Sequence, residues 1–310
     1  MAVNLKELRN IPERLGPGHR LCAGCGAPLV AKMVMMGTDS PLVVTNATGC
    51  LEVATTIYPY TAWKTPWMHN AFENSAATIA GIESAYQSLK KQGKIDKDVK
   101  FLAFGGDGGT YDIGLQALSG ALERGHDFVY VCYNNEAYMN TGIQRSGATQ
   151  RGASTTTSPA GEAVPGKRVF PKDLTEIVAA HNIPYAAQGS ISNWKDLVSK
   201  AQKAFDVKGP AFLNVFSPCP PGLKHATEKS VEVAKLMVDC KAWPLYEVED
   251  GKHRITYTPR KVRPVSDWIK MQGRFRHLQK EENKGIIDDI QKRIDANWSR
   301  LEKLQEATSD

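Results

Sequence analysis

The sequence predicts an α/β protein built on an open, mostly parallel sheet flanked by helices, with a hairpin and helices added at its C-terminus. This rests on three features. Apolar, strand-like runs alternate with helical patterns up to about residue 222. Residues 99–133 make one complete strand–helix–strand unit, and both strands are apolar almost throughout, as parallel strands covered on both faces are. After residue 225 the pattern changes to a hairpin and a long amphipathic helix. The expected division is therefore 1–225 and 226–310.

The opening MAVNLKELRN puts Lys6, Glu7 and Arg9 where a secretion signal needs an apolar run. No stretch approaches the ~20 apolar residues of a membrane span, so a cytoplasmic protein with no membrane partner is expected. GPGHR, residues 16–20, is a turn. A helix follows from Ala27 to about Met36, then a short buried strand, Pro41–Thr45, running into a loop that carries Cys50. Residues 62–91 hold an aromatic loop and a helix whose Ala76, Ala77, Ala80 and Gly81 suit close packing. The central unit reads as strand Val99–Phe104, a glycine turn, a helix from about Ile113 to Arg124, and strand Phe128–Tyr133. Residues 140–167 are rich in Gly, Ser and Thr and have no period; a loop that long is usually functional.

DLTEIVAAHNIPY gives a helix and a turn into a strand, NWKDLVSKAQKAFDV another helix, and PAFLNVFSPC a buried strand ending at Cys219. WPLYEVEDGKHRITYTP is a hairpin turning at Asp250-Gly251. PRKVRPVSDW is a linker. The final helix, from about Ile286 to Gln305, sets Ile287, Ile290, Ile294, Trp298 and Leu301 on one face. That face could cover its own domain or a neighbouring subunit.

Composition is that of an ordinary globular protein, 42% hydrophobic and 23% charged, with a net charge of +6. Basic residues are dense only in TPRKVRPV and GRFRHL, and no basic stripe is interleaved with aromatics. Nucleic acid is not an expected partner.

Six cysteines in a reducing compartment should be thiols or metal ligands. Cys132 lies in a strand-like run and Cys240 in a helix-like run, so both read as small buried residues. Cys22, Cys25, Cys50 and Cys219 remain. Four thiolates suit a structural zinc or a cubane iron–sulfur cluster. The Cys22-x-x-Cys25 pair alone would also suit a redox disulfide.

GGDGG, residues 105–109, falls at the first turn of the central unit. Glycines let a backbone approach a ligand, and the helix that follows presents its positive end to an anion. Asp107 would repel a phosphate unless a divalent cation lay between them, and Mg²⁺ on one or two protein oxygens plus diphosphate oxygens is the usual solution. Asn135, 28 residues later, emerges at the same sheet edge and is the expected second ligand. The bland alternative is a tight turn with a capping aspartate.

GDGG followed by YNNEAYMNTG resembles the Gly-Asp-Gly … Asn-Asn signature of thiamine diphosphate enzymes. With HNAFENSAAT, TGIQRSGATQRGASTTTSPAG, GHRLCAGCG, NATGCLEV, YPYTAWKTPW and SPCPPG, residues 18–225 are similar to the β subunit of pyruvate:ferredoxin oxidoreductase. This is the 2-oxoacid:ferredoxin oxidoreductase family, to which oxalate oxidoreductase is close. The resemblance implies a thiamine diphosphate-binding fold and oxidative decarboxylation of pyruvate. Coenzyme A takes the acyl group as acetyl-CoA, CO₂ leaves, and electrons pass one at a time through a [4Fe–4S] cluster to ferredoxin.

The resemblance also implies the site. Cys22, Cys25, Cys50 and Cys219 would hold one [4Fe–4S] cluster, with Cys50 near the coenzyme as well. The Asp107 and Asn135 side chains and the Ala137 carbonyl would hold Mg²⁺, and Gly106, Gly108 and Gly109 would line the diphosphate. Asn140 and Thr141 would face the thiazolium and substrate. The activating glutamate would come from a partner α subunit, so neither Glu52 nor Glu73 is a candidate and the chain alone should be inactive. A γ subunit, a ferredoxin-like δ subunit and ferredoxin complete the expected partners. Residues 1–225 would carry both cofactors, and 226–310 would serve subunit packing.

Two departures bear on substrate. Gln150-Arg151 stands where pyruvate-type relatives continue Pro-Tyr, and Ala27 stands where many carry Glu. A guanidinium could bind a second carboxylate, making oxalate, which needs no coenzyme A, an alternative to pyruvate; otherwise Arg151 points to solvent. A non-catalytic iron–sulfur or zinc scaffold, or a zinc-stabilised thiamine enzyme, are the readings from other classes.

Overall fold

The computed structural model describes residues 4–309. Its elements run α1 (Leu5–Leu8), α2 (Ala27–Met35), β1 (Leu42–Ala47), α3 (Cys50–Val53), β2 (Trp67–Asn70), α4 (Ser75–Lys91), β3 (Lys100–Gly106), a π-helical turn (Gly108–Ile113), α5 (Leu115–Glu123) and β4 (Val129–Asn134). They continue with α6 (Leu174–Ala179), β5 (Tyr185–Ser190), α7 (Trp194–Asp206), β6 (Ala211–Phe216), α8 (Pro220–Leu223), α9 (Ser230–Asp239), β7 (Leu245–Glu249), β8 (Lys252–Tyr257), α10 (Val265–Lys270) and α11 (Lys284–Ala307). The eight strands form one sheet in the order β2-β1-β3-β4-β6-β5-β7-β8. The first six are mutually parallel, and β7 and β8 are antiparallel additions at the β5 edge.

Alternate residues of the central strands feed two cores, because successive side chains point to opposite faces. Leu102, Phe104, Val129 and Val131 pack with α2, α7, α9 and α10. Phe101, Ala103, Tyr130 and Cys132 pack with α4, α5 and α6. Cys132 and Cys240 are buried, as their apolar surroundings in the sequence imply. The hairpin pairs with β5 through β7, so it widens the sheet. On α11, Ile290, Ile294, Trp298 and Leu301 are buried against this chain itself: the first two belong to one core and Leu301 to the other.

Several local expectations are corrected. The glycine turn after β3 is a π-helical turn that runs into α5. The aromatic loop contains β2, a short strand hydrogen-bonded to β1 at the sheet edge. Cys50 opens α3 rather than sitting in a loop, and β6 ends at Phe216, three residues before Cys219. Part of the linker is α10, whose Trp268 and Ile269 are buried.

Candidate active site

Residues Gly106 and Tyr133 are register partners at the C-terminal ends of β3 and β4. The chain therefore delivers Asp107 and Asn135 side by side, at the strand ends where open α/β sheets bind ligands. Asp107 is fully buried. The Ser146 hydroxyl donates to its Oδ2 at 2.5 Å, and the Asn135 backbone N–H donates to Oδ1 at 3.3 Å. Burial opposes these bonds and pushes the Asp107 carboxyl up to about 7.

The Asn135 side chain ends between Asp107 Oδ1 and the Ala137 carbonyl oxygen, with one amide atom 2.9 Å from each. With the amide nitrogen there, it donates to both. With the amide oxygen there, three oxygens of this chain face one another, the donor set of a hard divalent cation. Between Asn135 and Ala137, Glu136 takes a left-handed backbone conformation, φ +67°, which turns the Ala137 carbonyl back towards the Asn135 side chain. The long loop holds this arrangement from outside: Thr149 Oγ1 donates to the Glu136 carbonyl at 2.6 Å, and the buried Lys167 amine donates to the carbonyls of Ser146 and Thr149.

A small cavity of about 20 Å³ reaches this cluster, bordered by Gly106, Asp107, Gly108, Gly109, Asn135, Ala137, Asn140 and Cys50 among others. At Gly108 the space a Cβ would fill is occupied by the Tyr138 ring, 2.4 Å away. The glycine is therefore required for packing against Tyr138, a role the sequence does not disclose.

Beside it lies a second, larger cavity of about 260 Å³. Cys22, Cys25, Cys50 and Cys219 all border it, with Leu21, Val53, Ala54, Ile57 and Pro220 supplying apolar wall. Three chain segments bring the sulfurs together. The Gly26 N–H donates to the Pro218 carbonyl at 3.0 Å, tying the first pair to the Cys219 segment, and Arg20 N–H donates to the Ala54 carbonyl at 2.7 Å beside α3. All four are unpaired thiols. Burial raises Cys25 to about 11 and both Cys50 and Cys219 to about 12, with repulsion from neighbouring cysteines adding to each. Thiolates here need a strong positive centre among them. Among the described residues no three His, Cys, Asp or Glu side chains are grouped closely enough to hold a single metal ion; the sulfurs ring a cavity rather than a point.

Cys50, Asn135 and Asn140 border both cavities, so the two sites abut. Thr141 is not brought to either: it is exposed, and its hydroxyl is engaged by Gln144 Oε1 at 2.5 Å. Arg151 is also turned away. Its guanidinium donates to the Arg168 carbonyl at 2.6 Å and to Asp289 of α11 at 3.2 Å, and it lies over the Phe170 ring. It neither binds at the cavities nor points freely to solvent. Ser146, the Glu136–Arg274 pair and Tyr133 are site residues that sequence reasoning missed. The Tyr133 hydroxyl borders the small cavity and finds no hydrogen-bond partner among the described residues. Ser146 lies in the quoted TGIQRSGATQRGASTTTSPAG segment, and Tyr133 and Glu136 lie in the quoted YNNEAYMNTG; only Arg274 falls outside every motif quoted for the resemblance.

A family model described as the C-terminal TPP-binding domain of thiamine pyrophosphate enzymes matches residues 47–215, which include Asp107 and Asn135. Pyruvate synthase subunit PorB of Thermotoga maritima is 53% identical, over 100% of this chain and 99% of its own length. The subunit of the same name from Methanocaldococcus jannaschii is 53% identical over 93% and 96%. Ketoisovalerate oxidoreductase subunit VorB of Pyrococcus furiosus is 42% identical over 98% and 97%. Among solved structures, a 2-oxoglutarate:ferredoxin oxidoreductase from Magnetococcus marinus shares the fold at a TM-score of 0.56 and 19% identity, over 72% of this chain and 79% of that one. The chain thus belongs to the 2-oxoacid:ferredoxin oxidoreductase family, as a thiamine pyrophosphate-binding β subunit of the pyruvate synthase PorB kind.

Proposed function

We propose that this subunit binds thiamine diphosphate, Mg²⁺ and one [4Fe–4S] cluster, and that its complex decarboxylates pyruvate oxidatively, forming acetyl-CoA and CO₂ and reducing ferredoxin. The observation that carries this is the abutment of a four-thiol cavity and the Asp107–Asn135–Ala137 cluster across Cys50, Asn135 and Asn140. When bound, the coenzyme supplies an electron sink for decarboxylation, and the cluster accepts the electrons singly.

The residues present fit these groups. Octahedral ligands about 2.1 Å from Mg²⁺ stand roughly 3 Å apart when adjacent, and the 2.9 Å separations around the Asn135 amide match that spacing. Asp107, Asn135 and the Ala137 carbonyl would be the protein ligands, with the backbone of Gly106, Gly108 and Gly109 along the diphosphate. The thiols of Cys22, Cys25, Cys50 and Cys219 would each take one corner of the cluster. Asn140, at the junction, is the polar group we assign to the reacting carbonyl; Thr141, committed to Gln144, is given no part.

Pyruvate is favoured by the names of the relatives at 53% identity. A 2-oxo acid with a branched side chain is the second substrate to screen, on the name of the 42% relative. The argument for oxalate began from Arg151, whose guanidinium is engaged by Asp289 and the Arg168 carbonyl and borders neither cavity, so that side chain lends oxalate no support. The test is anaerobic co-purification with the partner subunits, analysis for thiamine, iron, sulfide and zinc, and turnover with pyruvate, 2-oxoisovalerate and oxalate. Coenzyme A-dependent turnover of pyruvate, together with iron and sulfide lost on Cys50→Ser, is expected. Zinc in place of iron, or oxalate turnover without coenzyme A, would overturn it.

A further inference from the structure

Glu136 and Arg274 form an ion pair that is buried on both sides, 0% and 2% exposed, although 138 residues separate them. Arg274 belongs to the segment Gly273–Gln279 between α10 and α11, far from the signature residues in sequence. Its surroundings fix it closely. Arg274 Nε donates to Gln272 Oε1 at 2.9 Å, its carbonyl accepts from the Ser154 N–H at 3.0 Å, and its guanidinium lies over the Phe275 ring at 4.7 Å. Glu136 is held as firmly: Gln150 Nε2 donates to its Oε1 at 2.9 Å, and its own N–H donates to Asn134 Oδ1 at 3.0 Å.

A charge pair taken wholly out of water is weak evidence for stability, since desolvation offsets much of the attraction. Its position suggests another use. Glu136 lies between Asn135 and Ala137, whose side-chain amide and carbonyl converge with Asp107, and it holds the left-handed conformation between them. An L-residue with a side chain of this size is disfavoured there unless its surroundings fix it. Here the fixing group comes from the C-terminal segment.

We infer that Arg274 is a positioning residue for the cation site: by anchoring the Glu136 carboxylate it sets the Asn135–Glu136–Ala137 turn, and through it the affinity for Mg²⁺ and thiamine diphosphate. The inference rests on the Mg²⁺–thiamine diphosphate function proposed for this site. Partners of this kind, which orient metal ligands without touching the metal, typically change affinity about 10–100-fold when removed.

The test titrates thiamine diphosphate and Mg²⁺ into the cofactor-stripped complex, following binding by calorimetry and stability by thermal denaturation. Arg274→Met breaks the pair. Glu136→Gln with Arg274→Met removes both charges, so no unpaired charge stays buried and folding is spared. Leu301→Ala, buried in the other core, supplies a loss of stability unrelated to the turn. The expected result is a rise of tenfold or more in the Mg²⁺ concentration for half-saturation in both Arg274 variants, with Leu301→Ala unchanged; Arg274→Lys recovers part of it. Lower melting temperatures with wild-type Mg²⁺ affinity would make the pair merely structural and overturn the inference. Absence of Mg²⁺-dependent binding in the wild-type complex would overturn the parent function, and this inference with it.

Discussion

Substituting Gly108 by alanine separates two explanations of the glycines beside Asp107. A Cβ at Gly108 would lie 2.4 Å from Cδ1 and Cε1 of Tyr138, about 1 Å short of ordinary contact. The ring is confined: it packs on Phe72 at 5.6 Å between centroids, and the Tyr138 backbone is bonded to Gln144 at 2.9 Å. Displacing it strains the segment that carries Ala137, at a cost of about 1–3 kcal/mol for overpacking. Replacing glycine in a helical turn returns up to about 1 kcal/mol. The difference is a net loss of up to about 3 kcal/mol, and about 1 kcal/mol at mid-range values, a fall of a few degrees in melting temperature. The Mg²⁺ requirement for thiamine diphosphate binding should rise about tenfold as Ala137 shifts. Thermal denaturation and calorimetric titration measure both. The decisive variant is Gly108→Ala with Tyr138→Ala, which removes the obstacle and should restore affinity, with a coupling of about 0.5–3 kcal/mol. If affinity stays low in the double variant, the added methyl obstructs the ligand itself and the packing role is refuted.

Other outcomes follow from the same geometry. Because burial raises the free Asp107 carboxyl to about 7, a proton competes with the cation below that pH. Mg²⁺ affinity should fall by up to about tenfold per pH unit from 7 to 5, with up to one proton released per ion bound at pH 6 in calorimetry in two buffers; a flat profile would contradict this. Cys219→Ser should lower the iron content of the complex and bleach its visible absorbance, whereas Cys240→Ser, at a buried thiol that does not border the cavity, should leave both unchanged. Arg151→Ala should leave pyruvate turnover near wild type, since the side chain borders neither cavity, and should cost about 1–2 kcal/mol as the half-exposed Asp289 pair, the bond to the Arg168 carbonyl and the contact with the Phe170 ring are lost together; a large rise in KM would restore a substrate role.

The parts of the fold written in continuous local patterns were legible. β3, β4 and β6 are apolar runs, and the spacing of Asp107 and Asn135 reports one helix and one strand between two neighbouring strand ends. The four cysteines stood out because Cys132 and Cys240 sit in apolar segments that account for them. β2 was not legible, because four half-exposed edge residues carry no alternation strong enough to read. The π-helical form of the glycine turn is not legible, since Tyr138 and Phe72, which pack against it, come from elsewhere in the chain. Arg274 and Asp289 remained hidden for a related reason: each meets its partner, Glu136 or Arg151, 138 residues away, and no local pattern encodes such a pairing.

Diffraction from anaerobic crystals of the complex, recorded on both sides of the iron absorption edge, would locate the metals directly. Iron should appear within the ring of Cys22, Cys25, Cys50 and Cys219, with thiamine diphosphate beside it, anchored at Asp107 and Asn135. A lone zinc among those sulfurs, or a coenzyme bound away from Asp107, would contradict the assignment.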